Sequence, residues 1–282
     1  MTASIVGAIA PKVRLVEIER SKRKPTDRLD AYDYFLRGIA KLHEGSKPAN
    51  DEAVRLFYRA LELDPQYAAA YGMASYCYVW RRANGWMAEP NRGLKEASHL
   101  ATRAVELGRD DPVALCWGGF ALARVVGDLD RGGAFIDQAL VLNPNLATAW
   151  GFSGRVRVYR GEPDLAIDHL ARAMRLSPRD PEIYGFQGST AFAHFFSGRY
   201  QEASSWAETA MRENANYLPV TAIAAASHAQ AGHVEKATLA MERVRRIDPT
   251  LRISTLKDEF TLRRVEDMAR LAEGLRMAGL PE

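Results

Sequence analysis

Apolar residues recur along most of this chain at helical spacing, and the helical stretches themselves recur. In one stretch they stand at Ala53, Phe57, Ala60, Leu61 and Leu63; in another at Ala166, Leu170, Ala173, Met174 and Leu176. Each set puts small residues on one helical face, where a second helix can cross closely, with larger residues around them. The same phrase returns around Ala97 and Ala104, Gly132 and Ala139, Ala203 and Ala210, and Ala237 and Val244. The anchor positions Ala139, Ala173, Ala210 and Val244 are 34, 37 and 34 residues apart. Such a period predicts stacked helical hairpins, because one unit cannot bury its own apolar face and must pack on a neighbour.

The turns repeat as well. Gly127, Gly161, Gly198 and Gly232 each stand five residues before the start of a second helix's apolar phrase. A glycine there ends the first helix in a left-handed cap without a Cβ penalty. Asp64-Pro65, Asn143-Pro144, Ser177-Pro178 and Asp248-Pro249 end the second helices, since proline cannot continue a helix and restricts the residue before it. In the fifth copy Ala215 stands in the proline slot. Three irregularities are expected: a longer turn at Glu44 to Asn50, an insertion at Arg82 to Arg92, and a first helix about one turn longer in the fifth hairpin.

These residues resemble the tetratricopeptide repeat. Trp150, Gly154, Ala166, Ala173 and Pro178 follow that family's consensus spacing, and Tyr71, Tyr184 and Thr221 occupy the position of Trp150 in other copies. The resemblance covers about residues 31–253. It implies an all-α, right-handed superhelix of about six hairpins. Residues 254–282, with Phe260, Leu262, Val265, Met268, Leu271 and Leu275 on one face, read as a capping helix over the last hairpin. Residues 1–30 read as a separate amphipathic helix, roughly Ala10 to Lys24, broken from the array at Pro25-Thr26-Asp27. Thr2 to Ala10 suits either a stray strand or a continuation of that helix.

A narrower resemblance concerns both ends of the chain. Val6 to Pro11, Arg23 to Thr26 and Leu29 to Gly38 are similar to the junction before the repeats in bacterial class III adenylate or guanylate cyclases. Glu273 to Pro281 is similar to their C-terminus. The resemblance implies a regulatory C-terminal module, with residues 1–24 matching the last helix of an accessory domain and no catalytic domain.

Charge narrows the choice of partner. Residues 1–50 hold ten Lys/Arg against six Asp/Glu, and the remainder holds 28 against 29, so the basic excess sits at the start and the array has no basic stripe. Nucleic acid is therefore not expected as a partner. No apolar run approaches the ~18 residues needed to cross a bilayer. Ala8-Ile9-Ala10 lacks the basic leader and long apolar core of a secretory signal. Cys77 and Cys116 lie in different hairpins among apolar residues and read as buried free thiols, which suits the cytoplasm.

Candidate chemistry is sparse. Asp128-Leu129-Asp130 falls at a hairpin turn, where acidic residues start helices, and reads as a cap rather than a metal site. No phosphate-binding loop is present, and none of the six histidines forms an i, i+4 zinc pair. Gly118-Gly119 and Gly132-Gly133 read as close helix contacts. The chain is expected to be non-catalytic, without cofactor or metal.

The repeat resemblance implies that the first helices line a concave groove that binds a protein or peptide. Non-core positions on them are Tyr76 and Trp80, Trp117 and Arg124, Arg155 and Tyr159, and Ser189 and Phe192. Aromatic and guanidinium side chains are typical interface anchors. Gly72, Gly151 and Gly185 share one position, which suits either tight helix packing or a closely approaching peptide. Trp86 in the insertion belongs either to a binding loop or to a lengthened helix capped by Asn84-Gly85. The expected function is a protein-interaction or regulatory scaffold; a C-terminal regulatory fragment of a class III cyclase is the alternative.

Overall fold

In the computed structural model residues 16–24 and 29–282 are described. The expected helix from Ala10 to Lys24 is seen as a helix over residues 16–23; its first part, the stretch Thr2 to Ala10 and the break at Pro25-Thr26-Asp27 lie outside the described residues. Among the described residues there is no strand, and six helical hairpins follow one another. They are α1 (Ala31–Leu42) with α2 (Lys47–Leu63), α3 (Ala68–Ala83) with α4 (Pro90–Leu107), and α5 (Pro112–Ala121) with α6 (Leu129–Leu142). They continue with α7 (Ala147–Arg160) and α8 (Pro163–Leu176), α9 (Ile183–Phe196) and α10 (Tyr200–Glu213), and α11 (Leu218–Gln230) and α12 (Val234–Ile247). A short α13 (Leu256–Glu259) and then α14 (Val265–Met277) complete the chain.

The chain divides into two compact units, residues 1–152 with 175–177, and residues 153–174 with 178–282. In the first unit α1 pairs with α2, α3 with α4, and α5 with α6, while α3 also packs along α5. In the second, α9 pairs with α10, α11 with α12, and α9 also packs on α11. First helices therefore touch both their own partner and the next first helix.

The small residues sit where helices meet. Ala53, Ala60, Ala97, Ala104, Ala139, Ala166, Ala173, Ala203 and Ala210 are fully buried. The third hairpin goes further and uses glycine. A Cβ on Gly132 would strike the carbonyl oxygen of Gly119 and lie 2.7 Å from the backbone nitrogen of Ala123. Gly72 is likewise held by packing, its Cβ direction meeting Trp117 Cβ at 3.1 Å and the carbonyl of Ala114 at 3.4 Å.

The turn chemistry follows the sequence. Gly127, Gly161, Gly198 and Gly232 have φ of 84°, 80°, 75° and 77°, the left-handed region that ends each first helix. Asp128 accepts a hydrogen bond from the Arg131 N–H at 3.0 Å and caps α6. At the ends of second helices the acceptor matters more than the proline. Asp64, Asn143, Asn214 and Asp248 each accept, on the side-chain oxygen, the N–H two residues on at 2.8–3.2 Å. This Asx-turn closes the helix, so Ala215 can stand in the proline slot after Asn214.

Two expectations are corrected. The turn of the first hairpin does not run to Asn50: α2 begins at Lys47, because Ser46 caps it by accepting the Ala49 N–H at 3.3 Å and Pro48 suits the first turn. The first helix of the fifth hairpin is not longer, α7 and α9 both having 14 residues. The extra length lies chiefly in the connection Ser177–Glu182, where Asp180 accepts the Glu182 N–H at 2.9 Å in an additional turn.

The seam makes a paired prediction. Gly132→Ala should destabilise the chain by about 1–3 kcal/mol, the usual cost of overpacking a closed contact. Gly185→Ala should be neutral or stabilising by up to ~1 kcal/mol, since its Cβ would make only ordinary contacts, with Arg155 Nη1 at 3.6 Å and with Arg155 Cζ and Glu182 Oε2 at 3.9 Å. Denaturant unfolding of both variants checks the difference.

Candidate functional site

The sequence-derived groove residues are placed on first helices, but most are not accessible. In the first unit Tyr76 is 2% exposed and Trp117 8% exposed. Their rings meet edge to face at 4.4 Å and join Phe120 and Phe152, which stack at 4.0 Å. This is an aromatic core, worth roughly 0.5–1.5 kcal/mol per pair beyond burial. Trp80 is also buried, its ring 6.5 Å from that of Trp86. Arg124 is buried on the π-helical turn Leu122–Val126 that extends α5, and its carbonyl accepts from Arg82 at 3.3 Å.

In the second unit Arg155 is buried and donates to the Tyr217 hydroxyl at 3.3 Å. Ser189 donates to the Gly185 carbonyl at 2.8 Å and is spent on its own helix. Phe192 is buried with its ring 5.8 Å from Phe260. Tyr159 is half-buried, and its carbonyl accepts the Arg263 N–H at 2.8 Å. The last two are thus covered by the C-terminal segment of the chain itself.

An accessible site lies elsewhere in the first unit. Asn84 and Gly85 end α3, Gly85 with φ 64°, and Trp86 stands in the connection that follows rather than in a lengthened helix. Beneath it a cavity of about 480 Å³ opens between α2, α3 and α4, lined by Tyr58, Tyr78, Arg81, Trp86, Met87 and Glu96 among others. Tyr58 donates a short hydrogen bond to the Glu96 carboxylate. Burial, then this carboxylate, pushes the Tyr58 phenol far up, and burial raises Tyr78. Arg81 lies over the Tyr78 ring at 4.9 Å while bonding Asn50 at 2.9 Å and Asp51 at 2.7 Å. The wall is therefore fixed, with aromatic faces flanked by both signs of charge. Trp86 is the one signal of this cavity in the sequence. Tyr58 and Glu96 lie 38 residues apart and no local pattern joins them.

A second cavity of about 350 Å³, in the second unit, is lined by Glu208, Met211, His228, Leu239, Arg243 and Arg246 among others. There His228 Nε2 lies 3.2 Å from Glu208, and Lys236 bonds the same carboxylate at 2.9 Å. His233 Nδ1 is 3.4 Å from His228 Nδ1. Among the described residues no group of three or more His, Cys, Asp or Glu is placed to hold a metal ion, and no helix is long and apolar enough to cross a membrane. Cys77 and Cys116 are free and buried, with burial pushing the Cys77 thiol up to about 12.

No family model matches the chain. A protein of Rhizobium meliloti (strain 1021) named "Putative adenylate cyclase 3" is 28% identical over 124 residues, 42% of this chain and 21% of that protein, so the chain spans only a minor part of the relative. Among solved structures, the IFIT1 monomeric mutant with Gppp-AAAA superimposes with TM-score 0.64 at 13% identity, over 96% of this chain and 64% of that one. The APC/C hetero-tetramer Cut9-Hcn1 gives 0.62 at 16% identity, over 94% and 46%. TTC0263, a thermophilic TPR protein in Thermus thermophilus, gives 0.52 at 19% identity, over 70% and 98%. The chain has the tetratricopeptide-repeat fold.

The histidines predict a pH dependence. Burial holds His194 and His228 below the ordinary imidazole range; Arg199 adds to this at His194, while Glu208 opposes it at His228. The unfolded chain therefore binds more protons as pH falls through ~6.5, and stability drops there. The melting temperature should be lower at pH 5.5 than at pH 7.5, above the carboxylate range. His194→Gln/His228→Gln should shrink that difference.

Proposed function

We propose that this chain is a non-catalytic protein-interaction scaffold, in which a peptide or protein partner docks on stacked hairpins. The observation that carries this reading is the cavity under the Asn84–Glu89 connection. This connection opens onto aromatic faces beside a fixed guanidinium. Tyr, Trp and Arg are the side chains that most often carry binding energy at protein interfaces. Residues 31–253 serve as the array, and residues 1–30 flank it.

The near balance of charge after residue 50, 28 Lys/Arg against 29 Asp/Glu, supports a protein partner rather than a nucleic acid or a membrane surface. Two buried free thiols support action in the cytoplasm. Of the sequence-derived anchors, Tyr76, Trp80, Trp117, Arg124, Arg155 and Ser189 then act by shaping the first helices, and Tyr159 and Phe192 lie on the face covered by the C-terminal segment. The similarity to an adenylate cyclase adds no chemistry to this reading.

Affinity capture from a cell lysate, with the wild-type chain, Trp86→Ala and Arg155→Ala/Tyr159→Ala, tests it. Trp86→Ala should lose a partner that the wild type holds, with Kd weakened by about 2 kcal/mol, roughly 30-fold, at unchanged melting temperature. Recovery of the same proteins by all three chains contradicts the site. Recovery of none by the wild type contradicts the scaffold.

A further inference from the structure

Two of the three helices around the Trp86 cavity, α2 and α4, are second helices, so the cavity does not belong to the row of first helices. Six charged side chains line it, and four of them pair off. Arg81 bonds Asp51 at 2.7 Å and Asn50 at 2.9 Å. Arg92 pairs with Glu89 at 3.7 Å. That leaves Lys47 and Glu96. Lys47 is exposed at the start of α2, about three helical turns from Tyr58, where water and salt screen it.

Glu96 is half-buried beside Tyr58. Among the described residues its carboxylate takes one hydrogen bond, from the Tyr58 hydroxyl, and makes no ion pair. Burial, first of all, keeps that phenol neutral, so it satisfies one oxygen without cancelling the charge. Arg92 stands one turn earlier on α4, at the spacing where a helical ion pair can form, yet its guanidinium turns to Glu89. A half-buried anion with no counter-charge, set among aromatic side chains, is a receptor for a cation.

The receptor is held in shape. The Trp86 N–H donates to the Arg81 carbonyl at 2.8 Å and ties the connection to the end of α3. A Cβ on Gly93 would lie 3.1 Å from the Met87 sulfur, so glycine there lets the connection settle on α4 one turn before Glu96. The cavity already seats one guanidinium on an aromatic wall, that of Arg81 over Tyr78.

We infer that the cavity receives an arginine side chain of the partner protein, with its guanidinium on the second oxygen of Glu96 and its stem against Trp86 and Met87. The planar guanidinium stacks on aromatic rings and is more weakly hydrated than an ammonium, so it enters such a site at less cost than lysine. A volume of about 480 Å³ holds a side chain of this size. The inference deepens the scaffold reading and rests on it for the partner.

The test uses the full chain and three capped tripeptides at millimolar concentration: Ac-Gly-Arg-Gly-NH2, its citrulline counterpart, which has the same shape without the charge, and its glutamate counterpart. Binding is read by NMR from the Trp86 indole N–H and the amides of residues 86–96. The arginine probe should give saturable shifts there and bind at least about tenfold more tightly than the citrulline probe. Glu96→Gln leaves an oxygen for the Tyr58 hydroxyl, so it should keep the melting temperature and lose most of that preference. Glu62→Gln, which removes the same charge from an exposed site on α2, should keep the preference. Added salt should weaken the arginine probe and leave the citrulline probe unchanged.

Equal binding of the arginine and citrulline probes overturns the inference, and this comparison needs no variant to fold. So does tighter binding of the glutamate probe, which would place an acidic group at Lys47 or Arg92 instead. Failure of the arginine probe to shift these residues also overturns it. If a captured partner is lost by Trp86→Ala and kept by Glu96→Gln, this inference fails while the scaffold reading stands. If the arginine probe binds as expected and the wild type captures no partner, the scaffold reading fails while the cation site stands.

Discussion

Helices in this chain come close enough for backbones to touch, and only a methyl group or a hydrogen fits between them. The fully buried alanines at the crossings and the Gly119–Gly132 contact are the extreme expressions of that constraint. Close approach lets the larger residues on either side interlock, so that Leu100 and Ile136 in the first unit and Leu170 in the second reach full burial. The turn chemistry serves the same end. Left-handed glycines and Asx-turns reverse the chain in a few residues and return each helix to the seam in register.

The constraint also separates what is legible in the sequence from what is not. Small residues at a fixed period can be read directly, because nothing else satisfies the seam. Gly161 and Gly198 are readable for the same reason, since only glycine takes their backbone conformation cheaply. The connection Ser177–Glu182 reads as added helix in the sequence, because three extra residues in a period look alike whether they extend a helix or a loop. Only the acceptor Asp180 marks the turn.

Site residues are harder to read, because position on a helix does not state what covers it. Tyr76 and Trp117 occupy non-core positions by period, yet they meet Phe152 and become core, since the first helices pack so closely that their aromatic rings must fill the space between them. Tyr58 and Glu96 are invisible as a pair in the sequence, because they face each other only once α2 and α4 are folded on α3. The amphipathic face of α14 is legible, but not its seat: leucines require cover without naming the helix that supplies it. The feature with functional promise, the cavity at Trp86, is a departure from the repeat, a place where the stack does something its period does not require.

The closest seam offers the most direct measurement. In solution NMR of the native chain, Gly132 Hα should show nuclear Overhauser contacts to Gly119 Hα and to the Ala123 methyl, as two backbones in contact demand. Clear contacts from Gly132 to its own helix, with none to Gly119 or Ala123, would mean that these helices do not meet at their small residues, and the account of the fold would be wrong.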